Sequence, residues 1–237
     1  MTDLFAARDV VEEAAGLKRY LSLGVGLVFD DLSETESERI DKMPQGEFNV
    51  HKSYIDHLLD DYTNIERLEY ILSFCKQNQK IVGVKGVKSA YAYKILSVIG
   101  FERFSGAFLH EPVDASKLSE AINSFSARNT ELANLKKMDM PSKQSALNFY
   151  KFIIHMTSSI DGLCRLFDTG DITQFSVQNY VSKFNELKSL QDESLSWCCD
   201  DVDKQIRHII KNPRDAKGAL EALAHEKLNL LNSIIGE

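Results

Sequence analysis

The sequence predicts an α/β fold in which a β/α domain of about four parallel strands is followed by an all-α helical bundle. Three observations lead there. Four short apolar runs in the first half alternate with segments of helical period, the pattern of parallel strands joined by crossover helices. Beyond residue 145 only helical period remains. Between the two, residues 126–145 are polar and carry Pro141, which reads as a connection. The expected domains are therefore 1–126, a linker over 127–145, and 146–237.

The elements follow in order. Residues 7–21 space Val10, Val11, Ala14, Leu17 and Leu21 as one helical face. Residues 24–29 form the first expected strand, stopped by Asp30 and Asp31, and residues 47–51 form the second. Over 54–77, Ile65, Leu68, Ile71, Leu72 and Cys75 make a helical face. A third strand over 80–84 precedes a helix with Ala92, Ile95, Leu96 and Ile99 on one side. The fourth strand is expected over 103–109, and a helix near 116–125 closes the domain. The bundle shows stripes through Leu147, Tyr150, Ile154, Ile160, Leu163 and Phe167, then through Val177, Tyr180, Val181, Phe184, Leu187 and Leu190. Val202, Ile206, Ile209 and Ile210 make a third, and Asn212-Pro213 opens a fourth with Leu220, Leu223, Leu228, Leu231 and Ile234. Tyr150, Tyr180 and Trp197 would serve as anchors if the bundle presents a groove to a partner.

Composition narrows the function. At 43% hydrophobic and 27% charged residues the chain is an ordinary globular protein. A formal net charge of −7 argues against nucleic-acid binding through a broad basic surface. No apolar run is long enough to span a bilayer, so no membrane partner is expected. Four cysteines without a C-x-x-C pair point to a reduced, cytoplasmic protein, and no cofactor is expected. Six histidines are scattered with no zinc-like spacing.

Several short segments in the first half form a recognisable series. Leu23-Gly24-Val25 leads into Phe29-Asp30-Asp31-Leu32-Ser33, Asn49-Val50-His51-Lys52-Ser53-Tyr54 follows, and then come Lys85-Gly86-Val87-Lys88-Ser89, Ile99-Gly100, Ser105-Gly106-Ala107-Phe108-Leu109 and Pro112. His51 to Lys85 spans 34 residues and Lys85 to Ser105 spans 20. In order and spacing this resembles the C-terminal half of the EAL family, the cyclic di-GMP phosphodiesterases built on a modified TIM barrel. The resemblance covers about residues 2–125 and implies a partial TIM-barrel-like domain. The helical domain after it carries no such likeness, and the E-A-L signature itself would lie before Met1.

Active members hold two divalent metals with carboxylates at strand ends, which activates a water for attack on the phosphodiester. Position by position, the resemblance sets the family's lysine at Asn49, an aspartate at His51, a metal-binding glutamate at Lys85, a second glutamate at Lys88 and a glutamine at Ser105. Asp30 and Asp31 alone match. A lysine at a ligand carboxylate repels the dication it should bind, so no metal and no catalytic residue is expected. The Lys85 ammonium is instead expected to form a partly buried pair with Asp30 or Asp31.

The leading expectation is thus a catalytically inactive, EAL-like regulatory protein that binds another protein in cyclic di-GMP-related signalling. A non-catalytic cyclic di-GMP receptor, using Asp30, Asp31, Lys85 and Lys88, is the alternative. A phosphodiesterase completed by another chain is the second alternative. Four strands would also leave an uncovered sheet face and two open edges, which the helical bundle, a separately encoded N-terminal half or, the favoured expectation, a homodimer through half-barrels would cover.

Overall fold

A computed structural model of the 237-residue chain describes residues 10–33, 40–41, 43–137, 140, 142–170, 178, 182, 196–212 and 217–236. The chain divides into two compact units, Met1–Leu58 with Thr63–Lys136, and Leu59–Tyr62 with Lys137–Glu237.

The first unit is a four-stranded parallel sheet in the order β1-β2-β3-β4, with strands Val28–Leu32, Glu47–Val50, Ile81–Lys85 and Arg103–Ser105. Helix α1 (Val10–Ser22) precedes β1, and the short α2 (Lys52–Asp56) and long α3 (Thr63–Gln77) lie between β2 and β3. α4 (Ala90–Ile99) joins β3 to β4, and α5 (Leu118–Lys136) follows a single 3₁₀ turn. The expected α3 face is the core: Ile65, Leu68, Ile71, Leu72 and Cys75 are all buried. Phe48, Val50, Val82 and Val84 are buried on the strands. Tyr93 of α4 covers Phe104 of β4 at a ring separation of 4.9 Å.

The other face of the sheet is polar. Glu47 and Asn49 of β2, Gly83 and Lys85 of β3, and Arg103 and Ser105 of β4 occupy alternate positions in register. Arg103 Nη1 meets Glu47 Oε2 across β3. The face expected to be uncovered is therefore largely polar, with Lys85 and Arg103 open to solvent, Asn49 buried, and Ile81 an exposed apolar side chain beside Glu47. Both edges are also blunted. β1 carries a register shift between Phe29 and Leu32, and β4 is only three residues long.

Four boundaries differ from the sequence reading. β1 begins at Val28, because residues 23–25 close the last turn of α1 through Leu23 N and Val25 N donating to Tyr20 O at 3.1 Å. Asp30 and Asp31 lie inside the strand rather than after it. The fourth strand ends at Ser105 because Gly106, at φ +152°, turns the chain against the backbone of Val87. Residues 127–136, expected as linker, complete α5. Its polar surface is held by Arg128 over the Phe108 ring at 4.8 Å and Lys136 near the Phe104 ring at 5.6 Å.

In the second unit, α6 (Lys143–Asp168) and α7 (Ser196–Lys211) each pack on α8 (Lys217–Ile235). Leu147, Ile153, Ile154 and Leu163 of α6 are fully buried with Leu223 and Leu230 of α8. Lys227 Nζ reaches Asp161 Oδ2 at 2.6 Å. Tyr150, expected as a partner anchor, is buried in this core. The stripe over 177–190, Pro213 and the Trp197 side chain lie outside the described residues. No helix among the described residues is long and apolar enough to cross a membrane.

Candidate functional site

In parallel β/α sheets, chemistry gathers at the C-terminal ends of the strands, where loops converge and side chains of neighbouring strands meet. The first unit places there most of the residues singled out by sequence. Asp30 enters through the β1 irregularity, with Asp31 beside it in the left-handed region at φ +65°. That conformation costs a non-glycine residue about 1–2 kcal/mol. It re-aims the strand so that the Asp30 carboxylate turns toward β2 and β3.

Two donors converge on one oxygen of that carboxylate. Lys85 Nζ donates to Asp30 Oδ1 at 2.6 Å, and Asn49 Nδ2 donates to the same oxygen at 2.9 Å. Asn49 is only 3% exposed, so its amide is fixed in the sheet. Gly83 makes the room. A Cβ there would sit 2.8 Å from Asn49 Oδ1 and 3.0 Å from Glu47 Oε1. The Asp30 carboxyl is held below its ordinary value, first by the Lys85 hydrogen bond, against an opposing push from burial, with Asn49 contributing less.

The pairing expected for Lys85 is thus with Asp30. It is more open than expected, since the Lys85 and Asp30 side chains are 49% and 47% exposed. Asp31 does not join this pair: among the described residues both donors go to Asp30 Oδ1.

Lys88 belongs to a second cluster. Its Nζ meets Asp56 Oδ1 at 2.7 Å, and Lys52 Nζ approaches Asp56 Oδ2 at 3.4 Å. The Lys88 bond, ahead of the two lysines' charges, draws the Asp56 carboxyl down against the push of burial. His51 takes a local role. As the residue capping α2, its Nδ1 accepts from Ser53 N at 3.2 Å and lies 2.7 Å from Ser53 Oγ. Ser105 stands in register with Lys85, and its carbonyl accepts from Val87 N at 3.0 Å.

Among the described residues, no three His, Cys, Asp or Glu side chains converge as a group able to hold a metal ion. A cleft of about 240 Å³ in the second unit is lined by Asp60, Asp61, Tyr62 and one side of α6 from His155 to Arg165. It is lined by none of Asp30, Asp31, Asn49, His51, Lys85, Lys88 and Ser105.

No family model matches this chain, and no curated protein matches it. Among solved structures it is similar to the PaMucR phosphodiesterase in complex with c-di-GMP, at 21% identity and a TM-score of 0.46. The likeness covers 50% of this chain and 49% of that one, so the chain spans about half the length of the structure it matches.

Sequence reasoning missed Glu47, Gly83, Arg103, Asp56 and Lys52. The first three carried a signal: polar or glycine residues at alternate positions of β2, β3 and β4 mark one shared sheet face. Asp56 and Lys88 lie 32 residues apart, and no spacing rule joins them.

Proposed function

We propose that this chain is a non-catalytic regulatory protein of EAL-like descent, acting through contact with another protein in cyclic di-GMP-related signalling. One observation carries the reading: the Lys85 ammonium sits 2.6 Å from Asp30 Oδ1. By the motif resemblance, Lys85 replaces a metal-binding glutamate, and Asp30 is one of two aspartates retained. The cation therefore stands where a dication would need a ligand, and it neutralises the neighbouring carboxylate. The residues present, with an ammonium 2.6 Å from Asp30 Oδ1, do not fit the two metals of active members.

The receptor reading is less well supported. It needs Lys85 and Lys88 to meet phosphates, yet each ammonium already faces a carboxylate, Asp30 and Asp56 respectively. A nucleotide would have to break both pairs. Completion by another chain would leave the Lys85 cation in place.

Isothermal titration with magnesium, manganese and cyclic di-GMP, together with a turnover assay, tests the reading. The unaltered protein is expected to give no metal heat and no hydrolysis. The Lys85→Glu variant, with a carboxylate restored beside Asp30, is expected to gain measurable manganese binding. Metal-dependent hydrolysis by the unaltered chain would sink the proposal. Micromolar nucleotide binding without turnover would replace it by the receptor.

A further inference from the structure

We propose that the cleft of the second unit binds a small zwitterion whose ammonium and carboxylate lie several bonds apart, as in an ω-amino acid. The cleft shares no residue with the Asp30–Lys85 pair, so its occupancy is independent of the regulatory role proposed above.

One wall is a single helical face. His155, Ser158, Ser159, Gly162 and Arg165 follow one another on α6 at spacings of three or four residues or their sums. The apolar side of the same helix is committed to the core, where Ile153, Ile154, Met156, Ile160 and Leu163 are buried. A glycine weakens a helix interior, and Gly162 keeps the middle of this face free of a side chain. The facing wall is Asp60-Asp61-Tyr62, which precedes α3 in the chain and belongs to the second unit. The Tyr62 ring lies 5.3 Å from the His155 ring, tilted by 36°.

Opposite charges share this cleft without meeting. Arg165 Nε donates to Asp161 O at 3.3 Å, which lays the side chain back along α6. Among the described residues its guanidinium forms no ion pair with a carboxylate, so its outer nitrogens are open to a bidentate anion. Asp60 and Asp61 stand beside the Tyr62 ring, a combination that suits an ammonium. A carboxylate offers about four acceptor sites, so the contacts these aspartates already make leave room for one. Lys151 continues the same α6 face one turn before His155, and with it carboxylates and cations balance. A ligand that is neutral overall but charged at both ends therefore fits better than a simple anion or cation.

Size and donor geometry exclude other occupants. At about 240 Å³ the cleft is smaller than the roughly 300–1,000 Å³ of a drug-sized pocket. Asp60, Asp61 and His155 do not converge as a metal-binding group. His155 stands one turn from Ser158 and Ser159, yet among the described residues neither hydroxyl bonds to its ring, so no activated nucleophile is built.

Isothermal titration of the full chain with 6-aminohexanoate tests this, and a Kd of about 1 mM or tighter is expected. Hexanoate and hexylamine, each lacking one charge, are expected to bind at least about tenfold more weakly. Arg165 is exposed, so Arg165→Gln is expected to keep its far-ultraviolet circular dichroism and to lower 6-aminohexanoate to the level of hexylamine. Asp60→Asn with Asp61→Asn is expected to lower it to the level of hexanoate. No heat from 6-aminohexanoate at millimolar concentration overturns the proposal. So does either single-charge analogue binding as tightly as 6-aminohexanoate, or an Arg165→Gln chain that binds it unchanged.

Discussion

Replacing Lys85 by methionine removes the ammonium and keeps most of the aliphatic stem. Two unit charges 4 Å apart interact by about 1 kcal/mol in water and about 4 kcal/mol at an effective dielectric of 20. The Lys85–Asp30 pair is shorter than that, but both side chains are about half open to solvent. Exposed pairs measured by double-mutant cycles contribute roughly 0.2–1 kcal/mol. Asp30 is also braced by the buried Asn49 amide, so Lys85→Met is expected to cost about 0.5–1 kcal/mol at pH 7. The sign with pH follows from the lowered Asp30 value. A carboxyl whose folded value lies below its ordinary 3.8 contributes stability that is fully present above 3.8 and is lost as pH falls through the folded value. Urea midpoints of the two proteins should separate at neutral pH and converge in acid. The Asp30 carboxyl, followed by NMR, should titrate higher in the variant. A loss above about 2 kcal/mol, beyond any exposed pair, or a difference that persists unchanged into acid, would refute this account.

Two further outcomes are expected. Gly106→Ala places a Cβ 2.3 Å from the amide nitrogen and carbonyl oxygen of Val87. Backbone cannot yield there cheaply, so chemical denaturation should show a loss of about 2–4 kcal/mol. Cys75 is buried in the α3 core and its thiol is pushed up to about 11, first by burial. Peptide mapping after alkylation at pH 8 should find it unmodified in the folded protein and modified only in denaturant, because the thiolate is the reactive form.

The helix faces were legible because a buried stripe repeats every three to four residues whatever surrounds it, as Ile65 to Cys75 illustrate. The β1 boundary was not. Aspartates ordinarily end a strand, yet here the open sheet face is polar and a bulge accommodates them, so Asp30 and Asp31 continue the strand. The end of α5 was hidden for a related reason. Its C-terminal turns carry only Leu132 as a buried apolar side chain among the described residues and are otherwise anchored by cations over aromatic rings, which a search for apolar periodicity does not register. At the site, motif order located Asp30 and Lys85, and their pairing followed from charge. The capping role of His51 depends on a turn geometry that the surrounding residues do not announce, and the Lys88–Asp56 pair depends on how α2 lies beside β3.

Every strand of the sheet pairs with its predecessor in the chain, β1 with β2, β2 with β3 and β3 with β4. Parallel sheets are ordinarily slow to assemble, since distant segments must meet before pairing rewards them. Here the separation is held near its minimum, one crossover at a time, and no later strand must be threaded between two earlier ones. The sheet can therefore be laid down in the order in which a ribosome delivers it, each new βα segment finding a finished neighbour to dock on. Assembly by accretion gives the nascent chain little opportunity for mispairing, because at each stage the growing edge accepts the segment emerging next.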